Sequence, residues 1–317
     1  MKRILSVLIS AAIALSLCGC AKSGEADKNR GGGKLSVVTT IFPAYDFARQ
    51  VFGDTAEVML LLKPGTESHT YDPTARDIVK IGDCDLFIYN GGESDEWVEN
   101  ILESVEDVSV CRMMDAVEAV EEEHSEGMQA EESEEHHHDE EAEYDEHIWT
   151  SPKNAAAITE HIGKTAESLF PENSGLYKAN AEAYAEQIRA LDGEFSELLS
   201  GEERYFVFGD RFPLLYFFRE YGLNYYAAFP GCGSEVEPSA QTITFLMNKL
   251  SGDDVVPAVF CIELSNRKLA DTLAQENALP VVEFHTCHNI TADDFTAGET
   301  YLSLMERNYE ALVDILQ

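Results

Sequence analysis

Beyond residue 34 the chain alternates between short, nearly continuous apolar runs and longer amphipathic ones. Residues 35–40, 57–62, 85–89 and 108–111 read as strands, and residues 44–52, 73–81 and 97–105 as the helices between them. Strands this uniformly apolar, each followed by a helical stretch, predict a parallel sheet covered by helices. The rhythm stops at residues 115–146, which show no apolar periodicity and read as a disordered loop. It returns with helices at 152–169 and 174–199. Strands at 205–208, 225–229, 255–262 and 280–284 then alternate with helices at 212–221, 239–250, 266–276 and 300–316.

Within 174–199, Tyr184, Ile188, Leu191, Phe195 and Leu198 recur at alternating steps of four and three, which makes one apolar stripe. At about 1.5 Å per residue such a helix reaches about 39 Å, enough to run along two lobes. The expectation is an α/β protein. Two similar lobes with parallel-type sheets flanked by helices (34–172 and 201–317) are joined by one long rigid helix (173–200). No close sequence repeat links the lobes.

Lys2 and Arg3 precede an apolar run that ends in Leu17-Cys18-Gly19-Cys20. A positive start, a short apolar core and small residues before a cut site describe a secretory signal, too short for a transmembrane helix of about 20 residues. The ending resembles a bacterial lipobox, which would lipidate Cys20 and leave residues 21–33 as a flexible tether. The expected location is outside the cytoplasm, lipid-anchored to the outer face of the cell membrane.

Charge changes the picture in one place. The chain carries 59 Asp and Glu against 22 Lys and Arg, a formal −37, which argues against nucleic acid as a partner. Sixteen of the acids lie in residues 115–146 without one Lys or Arg, so the rest of the chain carries −21. That segment also holds His124, His136, His137 and His138. A His-rich tract among carboxylates reads as an accessory, mobile metal-binding segment. Five cysteines follow Cys20, with no CxxC pair. Cys84 and Cys261 fall in or beside apolar strands, while Cys232, in a Gly-rich turn, and Cys287, between two histidines, are disulfide or site candidates.

Metal-ligating residue types recur at strand ends, where ligands collect in open α/β sheets. His69 lies in a loop between a strand and a helix. His147 sits where the acidic segment rejoins regular structure, with Asp145 or Glu146 available to orient its ring. His285-Thr286-Cys287-His288 follows a strand directly, and Asp210 ends another. For Asp210 the alternatives are an N-cap or a partner for Arg211.

Together these segments resemble the ZnuA-like, zinc- and manganese-binding solute-binding proteins of bacterial ABC importers. The marks are Ile41-Phe42-Pro43, Pro64-Gly65 through His69 to Tyr71-Asp72-Pro73, residues 85–92, residues 145–152, Tyr221-Gly222-Leu223 and residues 300–305 with Asn308. The resemblance implies a metal in the cleft between lobes and a membrane permease of an ABC transporter as partner. It aligns His69 and His147 with the family's two N-lobe histidine ligands, and the acidic segment with a His-rich loop between them. In the C-lobe the match departs from the pattern. Asp210 is the nearest ligand to the family's third position. The fourth falls near His285–His288, and His285, first after the strand, is the expected ligand. Three histidines and a carboxylate suit Zn²⁺; Mn²⁺ would favour more oxygen. An adhesin with a structural metal is the alternative reading. A zinc metallohydrolase is a weaker one, since no HExxH occurs and no enzyme activity is expected.

Overall fold

The computed structural model describes residues 33–66, 71–105, 107–129, 143–231 and 237–317. The signal, Cys20, the tether, His69, His136–His138 and Cys232 lie outside them. The first lobe consists of β1 (Leu35–Thr39), α1 (Phe42–Phe52), β2 (Ala56–Leu60), α2 (Ala75–Asp83), β3 (Leu86–Tyr89), α3 (Glu96–Leu102), β4 (Val110–Arg112) and α4 (Pro152–Leu169). Next comes α5 (Ser174–Leu198). The second lobe follows with β5 (Tyr205–Phe212), α6 (Leu215–Tyr221), β6 (Asn224–Pro230), α7 (Ala240–Leu250), β7 (Val255–Ile262), α8 (Lys268–Asn277), β8 (Val281–Phe284), α9 (Ala292–Ala297) and α10 (Tyr301–Leu316).

Both sheets are parallel, ordered β2-β1-β3-β4 and β6-β5-β7-β8. Each places its second strand at the edge and its first beside its third, so the lobes share one topology without a legible sequence repeat. Successive side chains of a strand face opposite ways. Val37, Leu86, Ile88, Phe206, Phe208 and Phe260 therefore enter a central core, while Val38, Phe87, Val207 and Val259 enter outer cores. Burial on both faces is why these strands lack polar alternation.

The central core runs unbroken through both lobes, with α5 packed against α4, α1 and α10. Asp46 of α1, fully buried, reinforces the join: its Oδ2 accepts the Tyr184 hydroxyl of α5 (2.7 Å) and the Tyr301 N–H that opens α10 (2.9 Å). Helix starts follow their capping signals. Thr74 and Thr300 form capping boxes with Asp77 and Ser303, and Ser151 caps α4 with Pro152 in its first turn.

Three expectations change. β5 continues to Phe212 rather than stopping at residue 208, with an irregular register around Gly209 and Asp210, so α6 starts only at Leu215. Helix α8 requires Gly209, because a Cβ there would stand 2.7 Å from the Ala270 Cα. The short α9, polar and without apolar periodicity, escaped the pattern. Third, the acidic segment is not a disordered loop throughout. Residues 115–129 and 143–146 form a stem held by a Glu121–Tyr144 bridge, with Asp145 N–H donating to the Val120 carbonyl (2.9 Å) and Glu122 N–H to that of Glu143 (3.0 Å).

Candidate metal centre

His147 is positioned from both sides by short-range chemistry. Ahead of it, the stem of the acidic segment is seated on the second lobe by Tyr216 of α6. That hydroxyl donates to the Asp145 carbonyl (2.8 Å) and accepts from the Val120 N–H (3.0 Å). Behind it, a single tight turn, Ile148–Thr150, leads into capped α4, and Thr150 donates N–H and O–H to the His147 carbonyl. The Asp145 Oδ1 accepts the His147 backbone N–H (2.8 Å) and lies 3.2 Å from ring Nδ1. A carboxylate there fixes the proton on Nδ1 and leaves the lone pair on Nε2, on the far side of the ring from Asp145.

Asp145, not Glu146, therefore orients the ring. The Glu146 carboxylate turns instead to the Ser94 N–H (3.0 Å) and hydroxyl, and its carbonyl accepts from Asn90 Nδ2 (2.8 Å). Complete burial alone would lower the His147 pKa. The charge and hydrogen bond of Asp145, then the charges of Glu146 and Glu122, outweigh burial and raise it.

From the second lobe comes His288. Its ring centroid lies 5.4 Å from that of His147 and 4.9 Å from that of Trp149, and His147 and Trp149 are 5.6 Å apart. A cavity of about 30 Å³ beside His288 is bounded by Thr66, Gly231, Glu263, Thr286 and Asn289. Thr66 stands three residues ahead of His69. Its carbonyl and that of Lys63 accept both Asn289 side-chain N–H contacts (2.6 and 3.0 Å), and Gly65 N–H donates to the Ile290 carbonyl (2.7 Å). The loop leading to His69 is thus pinned to the segment that carries His288. Gly231 leaves room for the His147 ring: a Cβ there would meet His147 Cε1 at 3.3 Å and the Pro213 Cα at 3.1 Å.

The two expected C-lobe ligands do not join this group. His285 is buried, but its Nδ1 accepts the Cys287 N–H (2.9 Å), which puts the ring proton on Nε2, the opposite tautomer to His147. The same Nδ1 lies 3.6 Å from Glu263 Oε1, and the His285 Nε2 is buried without a hydrogen-bond partner among the described residues. Its backbone is fastened to Asn308 of α10 through N–H and carbonyl, both at 2.7 Å. The Asp210 carboxylate accepts the N–H groups of Arg211 (2.8 Å) and Ile262 (3.2 Å). It borders a different cavity, about 340 Å³, with Phe229, Ile243 and Leu269.

Of the accessory histidines, His124 is exposed on the stem and the other three lie outside the described residues. Cys287 is buried among the cleft residues, with burial pushing its thiol pKa well above the usual value. Among the described residues, no three His, Cys, Asp or Glu side chains gather tightly enough to hold an ion by themselves. Sequence reasoning missed Glu263, Thr286 and Asn289. Glu263 carried a signal, an acidic residue at the end of a buried strand.

The profile of a family described as "Zinc-uptake complex component A periplasmic" matches residues 37–315. The zinc-binding lipoprotein AdcA of Streptococcus pneumoniae serotype 4 is 33% identical over 98% of this chain and 60% of its own length. The chain therefore spans about three fifths of that relative. The high-affinity zinc uptake system protein ZnuA of Bacillus subtilis is 29% identical, over 98% of this chain and 97% of that protein. The crystal structure of the Zn(II)-bound ZnuA-like domain of S. pneumoniae AdcA superposes with a TM-score of 0.73 at 31% identity, covering 90% of this chain and 99% of that domain.

Proposed function

Because the chain belongs to the family of periplasmic zinc-uptake components, we propose that it captures Zn²⁺ outside the cytoplasm and delivers it to the membrane permease of an ABC importer. One observation carries this reading. The His147 ring, held by Asp145 in the tautomer that leaves the Nε2 lone pair available, meets the His288 ring at the junction of the two lobes. The loop leading to His69 is fastened to the same segment. His69, His147 and His288 would hold the ion, with His288 taking the role expected of His285 or Asp210. Nitrogen donors suit zinc over manganese. In this role the chain is a carrier and not a catalyst, and lipidation at Cys20 would tether it beside its permease.

The continuous core limits hinge opening, so release would proceed by local movement of the ligand loops or by protonation. A raised His147 pKa makes protons competitors for its lone pair as pH falls. The test is elemental analysis and chelator-competition titration of the purified chain, with His147→Ala, His288→Ala and His285→Ala variants. The expected result is about one zinc per chain, weakened by at least about tenfold in the first two variants and within a few-fold of the parent in the third. Loss of zinc in H285A with retention in H288A would reverse the assignment. Zinc-limited growth that survives loss of the chain, with loss of surface attachment, would favour adhesion.

A further inference from the structure

One residue connects both ring-bearing loops of the cargo site without being a ligand, through its hydroxyl on one side and its backbone carbonyl on the other. Thr286 lies between His285 and the turn that carries His288, and it is 2% exposed. Its N–H donates to Glu263 Oε2 (2.7 Å) and its hydroxyl to Glu263 Oε1 (2.5 Å). Glu263 is itself 6% exposed and directly follows β7. The same Thr286 hydroxyl accepts the His288 N–H (3.2 Å), and the Thr286 carbonyl accepts the Trp149 indole N–H (2.9 Å) from the opposite lobe. Every polar atom of Thr286 is therefore engaged, and each partner belongs to the ring triangle or to the end of β7.

Cys287 makes this closure geometrically possible. It takes φ of +61°, a left-handed conformation that L side chains rarely adopt, and it is completely buried. That conformation folds the chain back so that the N–H of His288 returns to the hydroxyl two residues earlier. A strained residue persists where its surroundings over-determine it, and here the surroundings are the Glu263–Thr286 bonds.

We propose that Thr286, held by the buried Glu263 carboxylate, is a positioning residue for the zinc cargo. It sets the direction of the His288 ring and, through Trp149, that of the loop carrying His147. The inference rests on the zinc reading above and deepens it. A hydroxyl is needed because only a group that donates to Glu263 and accepts from His288 at once can link the two. The backbone bonds of residue 286 to Glu263 and Trp149 survive any substitution, so a change in the side chain isolates the hydroxyl.

The test compares the full chain with Thr286→Val, which keeps the shape and loses the hydroxyl, and Thr286→Ser, which restores it. Three quantities are read: the zinc dissociation constant by chelator competition, the visible absorption spectrum of the Co²⁺-substituted chain, and the melting temperature of the metal-free chain. In T286V zinc binding should weaken by about 10–100-fold, the range for loss of a group that orients a ligand. Its Co²⁺ bands should shift in position or intensity. T286S should bind within about threefold of the parent and reproduce the parent spectrum. A T286V chain with lowered melting temperature but parental zinc affinity and Co²⁺ spectrum would make the residue merely structural and overturn the inference. Equal weakening in T286V and T286S would overturn it too. A parent chain that binds no zinc would instead overturn the cargo reading, and this inference with it.

Discussion

Asp95 gives a stability prediction whose size follows from the structure. Its carboxylate is buried in the turn after β3, where Oδ2 accepts the N–H groups of Asn90 (2.8 Å) and Gly91 (3.1 Å). Asn90 in turn holds the Glu146 carbonyl, one residue before His147. Burial pushes the Asp95 pKa up. The two N–H groups and Arg112 pull it down, the Glu146 charge adds to the rise, and the balance lies at about 6 against an ordinary 3.8.

A pKa raised on folding means that the folded chain binds the proton more tightly than the unfolded chain. The stabilisation is complete below about pH 3.8 and is lost as pH rises through about 6. Two pKa units correspond to about 3 kcal/mol. Asp95→Asn removes the titration, while its amide oxygen can still accept both N–H groups. The assay is urea unfolding of metal-free parent and D95N between pH 4 and pH 7.5. Subtracting the two curves cancels the titrating groups that do not interact with Asp95. The stability of D95N relative to the parent should rise by about 2.5 kcal/mol across that range, the rest of the change lying below pH 4. A difference that stays flat, or falls, would refute the assignment of a raised pKa to this carboxylate.

Other changes probe the cleft. Gly231→Ala introduces a Cβ between the Pro213 backbone and the His147 ring. It should weaken zinc binding by roughly tenfold, about 1.4 kcal/mol by titration, because overpacking falls on a ligand. Tyr216→Phe leaves the Val120 N–H and the Asp145 carbonyl without their shared hydroxyl. The loss of stability should be about 1–3 kcal/mol by urea unfolding, with faster amide exchange in the stem of the acidic segment. Asp145→Ala should weaken zinc by about 10–100-fold in chelator competition. Asp145→Asn should fall between it and the parent, since its amide oxygen can still accept both His147 N–H groups.

Much of the architecture was legible because it follows from periodicity. Parallel strands buried on both faces must be continuously apolar, and helices between them must be striped. Strand β5 overran its expected end because Gly209-Asp210-Arg211 looks like a loop. It is an irregular stretch of strand that accommodates α8. The acidic segment misled in the other direction. Its stem lacks apolar periodicity because bonds to Tyr216, a bridge to its own return strand and Gln129 N–H on the Ala228 carbonyl hold it. Val117, Val120 and Met128 add apolar contacts with the central core at irregular spacing.

For the site, the chain alone shows which residue types stand at the strand ends and that a carboxylate lies two positions before His147. Local spacing is enough for that, since Asp145 and His147 are joined by a single turn of chain. It could not choose among His285, Cys287 and His288, because alternation along an extended segment says only that neighbours diverge. What separates the three positions is tertiary. The left-handed Cys287 reverses the chain, the Cys287 N–H claims the His285 Nδ1, and His288 swings against His147 and Trp149 from the other lobe. The contacts of His288 with His147 and Trp149 join residues more than 130 positions apart, a distance over which no periodicity in the chain carries information.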